Sequence, residues 1–231
     1  MNNIDKVLVV AAHPDDEVLG CGGTVARFLN EGKEVHVLIL GGITTSRYKK
    51  NQKEESWKKN EYKGEAHNAA TALGLTSLKC VDFDDNRFDT VPLLEIIKAV
   101  EKAKNEVKPD LILTHDFADL NVDHRLTHQA VMAAFRPDVS YNFFRIMTFE
   151  VLSNTECQDQ AMSTFRPNCY IDIKDFLAKK IGAIKCYQSE LRSYPHPRSL
   201  EALRIRAKYW GSIVGVQAAE PFVLVRELIK S

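Results

Sequence analysis

Short, wholly apolar runs alternate along the chain with longer stretches whose apolar positions recur every three to four residues. Lys6–Ala12, Glu34–Leu40, Ser77–Phe83 and Asp110–Thr114 are rich in Val, Ile and Leu at consecutive positions, so each is expected as a strand buried on both faces. Between them lie helical stretches with a stop signal at the end. Glu17–Asn30 runs to Gly32, Asn60–Leu73 runs to Gly74, and Val91–Val107 ends before Pro109. The tail predicts helices over Ile173–Cys186 and Leu200–Ile213 and a last strand at Phe222–Glu227. Such alternation implies right-handed βαβ crossovers. The expected fold is therefore α/β: a single Rossmann-like three-layer domain over residues 1–231, with a mostly parallel central sheet and helices on both faces. Residues 43–59, "ITTSRYKKNQKEESWKK", carry no apolar period, and read either as a lid or binding loop or as a solvated surface excursion.

Ligands of such sheets bind beyond the carboxyl ends of the strands, and the first strand ends there in "AHPDDE", Ala12 to Glu17. Pro14 fixes the backbone, Asp15 and Asp16 project in different directions, and a helix begins near Glu17, where its positive dipole end favours acids. Helix capping accounts for one or two carboxylates. It does not ask for a histidine at the strand tip or make three adjacent acids comfortable, whereas a bound cation does both. A hydrolytic zinc site takes three nitrogen or oxygen ligands and keeps one position open for water. His13 and Asp16 supply two. The third is sought in "HDFADLNVDHRLTHQAV", residues 115–131, which opens at the same sheet edge after the strand Asp110–Thr114. There His124 starts a helix beside Asp123, whose carboxylate would orient a ligand. His128 shares the helix face, but Arg125 stands where an H-E-x-x-H zinc helix needs its glutamate. The preferred set is His13, Asp16 and His124. His128 is read as a packing or supporting residue with ligation as the alternative, and His115 as a weaker candidate.

Composition narrows the partners. Lysine plus arginine and aspartate plus glutamate both number 31 in 231 residues, so no overall field draws the chain to nucleic acid or an anionic membrane. Five widely spaced cysteines without a C-x-x-C pair read as reduced packing residues. With no apolar run of signal-peptide or membrane-spanning length, a cytoplasmic location is expected. Gly20, Gly22 and Gly23 follow the first strand, but Val25 breaks the G-x-G-x-x-G spacing and the acids would face a pyrophosphate, which argues against a dinucleotide site.

The intact A-H-P-D-D-E at Ala12–Glu17, with Asn121-Val122-Asp123-His124 approximating a second motif H-P-D-H, resembles the PIG-L/LmbE-like family of zinc-dependent N-acetylglucosaminyl deacetylases. "FDDNRFD" (83–89), "KPDLILTH" (108–115), "YQSELRSYPHPRS" (187–199) and "AAEPFVLVRE" (218–227) also resemble bacterial members. The resemblance implies zinc, or another divalent metal, on His13, Asp16 and His124, with Asp15 as general base and Asp123 as the acid of the second motif. It further implies an N-acetylated sugar or sugar conjugate as the small-molecule substrate, and it is compatible with a homo-oligomer. The family's first histidine of the second motif is Asn121 here. Two groups are available for its work beside the reacting carbonyl: the Asn121 amide, and His196, held between Pro195 and Pro197.

Asp15 then takes the proton of the attacking water, and either Asp15 or His196 passes a proton to the sugar nitrogen, releasing acetate. Asp85, Asn86 and Arg87 are candidates for binding sugar hydroxyls, with good turn chemistry as their other reading. Tyr194 and Arg198 flank His196 as further substrate contacts. Lys49, Lys50, Arg192 and Arg198 would meet a phosphate if the substrate carries one. The Asn121 departure also keeps open a catalytically weak metal- or sugar-binding protein of the same fold.

Overall fold

The computed structural model describes residues 4–42, 52–137, 145–159, 161 and 164–229. The strands β1 (Lys6–Ala11), β2 (Glu34–Gly42), β3 (Ser77–Asp84), β4 (Leu111–His115), β5 (Arg145–Phe149), β6 (Cys169–Asp172) and β7 (Ala219–Glu227) form one sheet in the order β3-β2-β1-β4-β5-β7-β6. β1 to β5 pair in parallel, and β7 lies antiparallel between β5 and β6. The helices are α1 (Asp16–Asn30), α2 (Gln52–Leu73), α3 (Leu93–Val107), α4 (Val122–Ala134), α5 (Leu177–Ile184) and α6 (Leu200–Val214).

The period-two alternation of β1 divides the core. Val7, Val9 and Ala11 face a cluster with Val25 and Phe28 of α1, Ala69 of α2, Ile181 of α5 and Leu203 of α6. Leu8, Val10 and Ala12 face the other way, onto Ile96 and Val100 of α3 and Val131 of α4. Both sides are covered, giving the expected three-layer α/β sandwich. Among the described residues no helix is long and apolar enough to cross a membrane.

Several elements depart from the expectation. β3 is not buried on both faces: Lys79, Cys80 and Val81 are exposed because β3 is the edge strand. α2 begins at Gln52 and so absorbs much of the polar segment 43–59, since Lys, Glu and Gln favour helix without needing an apolar stripe. Residues 43–51, including Lys49 and Lys50, lie outside the described residues. α3 starts at Leu93 because a 3-10 turn occupies Phe88–Thr90, and α5 is trimmed to Leu177–Ile184.

The glycines after β1 serve packing. α1 breaks at Cys21 (φ −141°, ψ 18°). At this kink the Glu220 carboxylate accepts from the Gly23 and Thr24 amides at 2.9 and 2.6 Å, while Lys180 Nζ donates to the Leu19 carbonyl and to Glu220 at 2.8 and 2.6 Å. A buried ion pair thus satisfies the helix groups that the kink frees. A Cβ at Gly20 would lie 2.2 Å from the Phe149 ring, so the kinked helix can sit this close to β5 only without one.

Candidate active site

Neighbouring β1 and β4, paired Val10 to Thr114, end at the same rim and bring the 12–17 turn against the 115–124 segment. There His13 Nδ1 lies 3.4 Å from Asp16 Oδ2 and 3.3 Å from His124 Nε2, and His124 Nε2 lies 3.2 Å from Asp16 Oδ2. A tetrahedral ion with ligand bonds of about 2.0–2.1 Å has edges of about 3.3–3.4 Å, so this triangle fits zinc-like coordination. Asp16 Oδ2 also accepts the His13 amide at 2.8 Å, which fixes the carboxylate, and its Oδ1 is buried without a hydrogen-bond partner, a second oxygen open to a cation. Asp16 and His124 are fully buried and His13 is 12% exposed, which leaves the opening on the His13 side.

The outer nitrogens of both imidazoles meet carboxylates. His13 Nε2 is 2.9 Å from Asp123 Oδ2 and 3.1 Å from Asp85 Oδ1, and His124 Nδ1 is 3.1 Å from Asp119 Oδ2. The Asp123 carboxylate, hydrogen-bonded behind His13, fixes the proton there and turns the lone pair inward, while Asp119 lies close to His124 Nδ1 without a hydrogen bond and acts on it through charge. Asp123 is itself held by the Asn86 and Phe88 amides, at 2.7 and 3.0 Å. Asp119 is held by the Asn121 amide and the Thr155 hydroxyl, at 2.8 and 2.7 Å.

The electrostatics describe a site that wants positive charge. Burial opposes charging His13, yet Asp123 and Asp16 outweigh it and raise its pKa well above the usual value. Burial likewise opposes charge on His124, but Asp16 and Asp119 raise it to about 9. For Asp16, burial is outweighed by His124 and by its polar contact with His13, and the carboxyl is held well below its usual range.

His115 and His128 lie outside the triangle. His115 Nε2 accepts the Ala12 amide at 2.8 Å, its ring stacks on His124 at 4.0 Å between centroids, and burial together with His124 keeps it neutral. His115, Asp119 and His124 form a second group with metal-ligand spacing, but all three are buried, without the opening that His13 gives the first. His128 Nδ1 is 2.9 Å from the His115 carbonyl and the ring packs against Phe117.

Asp15 is buried in the left-handed region (φ 97°) and its Oδ2 accepts from Arg198 Nη1 at 3.1 Å. Burial raises its pKa well above the usual value against the lowering effect of Arg198. Behind it, Glu17 accepts from the Asp15 amide at 3.2 Å and from the Tyr187 hydroxyl, and burial lifts its carboxyl to about 7.

The remaining candidates are distributed less simply. Asn121 caps α4, its Oδ1 accepting from the Asp123 amide at 2.8 Å. His196 is exposed and accepts the Arg198 amide at 3.0 Å, with no described contact to the His13–Asp16–His124 group. Asp85 and Asn86 are drawn into the support of His13 and Asp123. Arg87 is exposed, and among the described residues its side chain makes no hydrogen bond; Tyr194 is also exposed. Tyr187 and the Arg198–Asp15 pair carry no signal in the spacing, because each partner comes from a distant segment, whereas Asp119 lies near His124 and Glu190 near Arg198 in the chain, where spacing could have pointed to them.

Comparison with known proteins places the chain in a family. The chain is 27% identical over 229 residues to a diacetylchitobiose deacetylase of Thermococcus kodakarensis, covering 95% of this chain and 82% of the relative. It is 28% identical over 203 residues to a 4-oxalmesaconate hydratase of Pseudomonas putida, covering 80% and 74%. The conserved protein TT1542 of Thermus thermophilus superposes with a TM-score of 0.75 at 27% identity, covering 99% and 97%. The sequence profile of the PIG-L family, GlcNAc-PI de-N-acetylase, matches residues 8–135, a stretch that holds the whole His13–Asp16–His124 group, and the chain belongs to that family.

Proposed function

We propose that the protein is a metal-dependent N-deacetylase, one catalytic domain that removes the acetyl group from an N-acetylated amino sugar or its conjugate and releases acetate. The observation that carries this reading is the triangle of His13 Nδ1, Asp16 Oδ2 and His124 Nε2 with edges of 3.2–3.4 Å. Two imidazoles and one carboxylate at tetrahedral spacing are a donor set suited to zinc. Bound there, the metal would acidify water towards a pKa of about 7 and polarise the acetyl carbonyl.

The chain's own residues do the rest. Asp15, next to ligand Asp16, accepts the proton of the attacking water and returns it to the departing nitrogen, so that no separate acid is required. Exposed Arg87 and Tyr194 contact the sugar, and Asp123 and Asp119 hold the ligand imidazoles in register. His196, free of other duties beyond the Arg198 amide, is the second candidate donor to the leaving nitrogen. Five unpaired cysteines support a reducing, cytoplasmic setting.

The test is acetate release by metal-loaded protein across free, nucleotide-linked and conjugated N-acetylated amino sugars, with and without chelator. Chelator-sensitive release from at least one of them is expected. Metal-replete protein that releases acetate from none would count against the deacetylase reading, and chelator-insensitive release would remove the metal.

A further inference from the structure

We infer that Arg198 is a positioning residue for Asp15: it pins one carboxylate oxygen so that the other alone is presented to the reacting water. This inference rests on the deacetylase reading and assigns the segment 187–199 a task within it. Arg198 is held from three separate parts of the chain. Its Nη1 donates to Asp15 Oδ2 at 3.1 Å and to Glu190 Oε2 at 3.0 Å, and its Nε donates to Ser153 Oγ at 2.9 Å. Asp15 comes from the β1–α1 turn, Ser153 from the loop after β5, and Glu190 from the loop after α5. Two of the residues it joins, Asp15 and Ser153, have positive φ (97° and 73°) without being glycine. Such conformations persist where the surroundings over-determine them, and they gather at functional sites.

The Asp15 carboxylate has two oxygens with distinct fates. Oδ2 is taken by the guanidinium, whereas Oδ1 has no partner among the described residues and is absent from the buried, unsatisfied atoms. Fixing the carboxylate by one edge leaves a single orientation for the base, and a misplacement of about 1 Å can cost about 10²-fold in rate. Glu190 shares the same Nη1 and limits the swing of the arginine. A phosphate-binding arginine would instead present its guanidinium to solvent, whereas this one is 21% exposed and engaged with two carboxylates.

The experiment compares kcat and KM of Arg198→Ala, Arg198→Lys and Ser153→Ala with wild type, on a substrate that wild type turns over, with metal content measured in each. Lack of turnover by wild type would count against the deacetylase reading itself. Arg198→Ala should lose about 10²-fold in kcat with KM within a factor of about three and metal content unchanged. Added guanidinium ion should restore part of the loss, and Arg198→Lys should fall between the two. Ser153→Ala, a milder change, should lose several-fold in kcat alone, which keeps the inference testable if Arg198→Ala folds poorly. A rise in KM with kcat retained would make Arg198 a substrate contact, and wild-type kcat in either Ser153→Ala or Arg198→Ala would overturn the inference.

Discussion

Replacing Asp123 by asparagine isolates the claim that His13 is aimed by the carboxylate behind it. Asp123 is fully buried and accepts three hydrogen bonds: from His13 Nε2 at 2.9 Å and the Asn86 amide at 2.7 Å on Oδ2, and from the Phe88 amide at 3.0 Å on Oδ1. An amide keeps the shape but has one acceptor oxygen. With that oxygen in the Oδ2 place, the new NH2 faces the Phe88 N–H and leaves it unsatisfied, at about 1–3 kcal/mol. With the amide flipped, both His13 and Asn86 lose their acceptor. Either way the negative charge behind His13 is gone, and loss of such a supporting carboxylate typically weakens metal binding about 10–100-fold. That corresponds to about 1.4–2.8 kcal/mol at 1.4 kcal/mol per tenfold. Competition against a chromophoric chelator at fixed pH measures it directly, and urea unfolding of the metal-free protein measures the structural part. Asp123→Asn with a metal affinity within twofold of wild type would refute the reasoning.

Two further predictions concern the kink that sets α1 and hence the acidic turn. Lys180→Met leaves the buried Glu220 carboxylate without its counter-charge and should cost about 3–5 kcal/mol in urea unfolding; a loss below about 1 kcal/mol would show that the Gly23 and Thr24 amides alone hold Glu220. Gly20→Ala drives a methyl to 2.2 Å from the Phe149 ring and should destabilise by about 1–3 kcal/mol in the same assay, and unchanged stability would mean that α1 can shift away from β5 freely.

The pattern of apolar runs was enough for four of the five parallel strands, β1 to β4, and for the helices between them. Strands buried on both faces leave continuous Val, Ile and Leu, as in β1 and β4, while β5 (Arg145–Phe149) and β6 (Cys169–Asp172) are too short and mixed to stand out. Edge strand β3 reads like an inner strand because Leu78 and Phe83 pack against the core clusters on opposite sides of the sheet, and nothing in the run announces that only β2 pairs with it among the described residues. In the site, the triangle was legible because three acids and a histidine in one turn have no comfortable explanation without a cation. The supporting shell was not. Arg198 is 183 positions from Asp15 and Tyr187 is 170 from Glu17, and nothing local in either segment announces such a partner. Asn121, read as a departure from a catalytic histidine, has a local duty that its residue type already suggests: a helix N-cap.

The central claim is tested most directly by diffraction from metal-loaded crystals at the absorption edge of the bound ion. The account predicts one anomalous peak per chain, about 2.0–2.2 Å from His13 Nδ1, Asp16 Oδ2 and His124 Nε2 together. A peak seated instead on His115 and Asp119, or no peak near His13 in protein that carries stoichiometric metal, would contradict it.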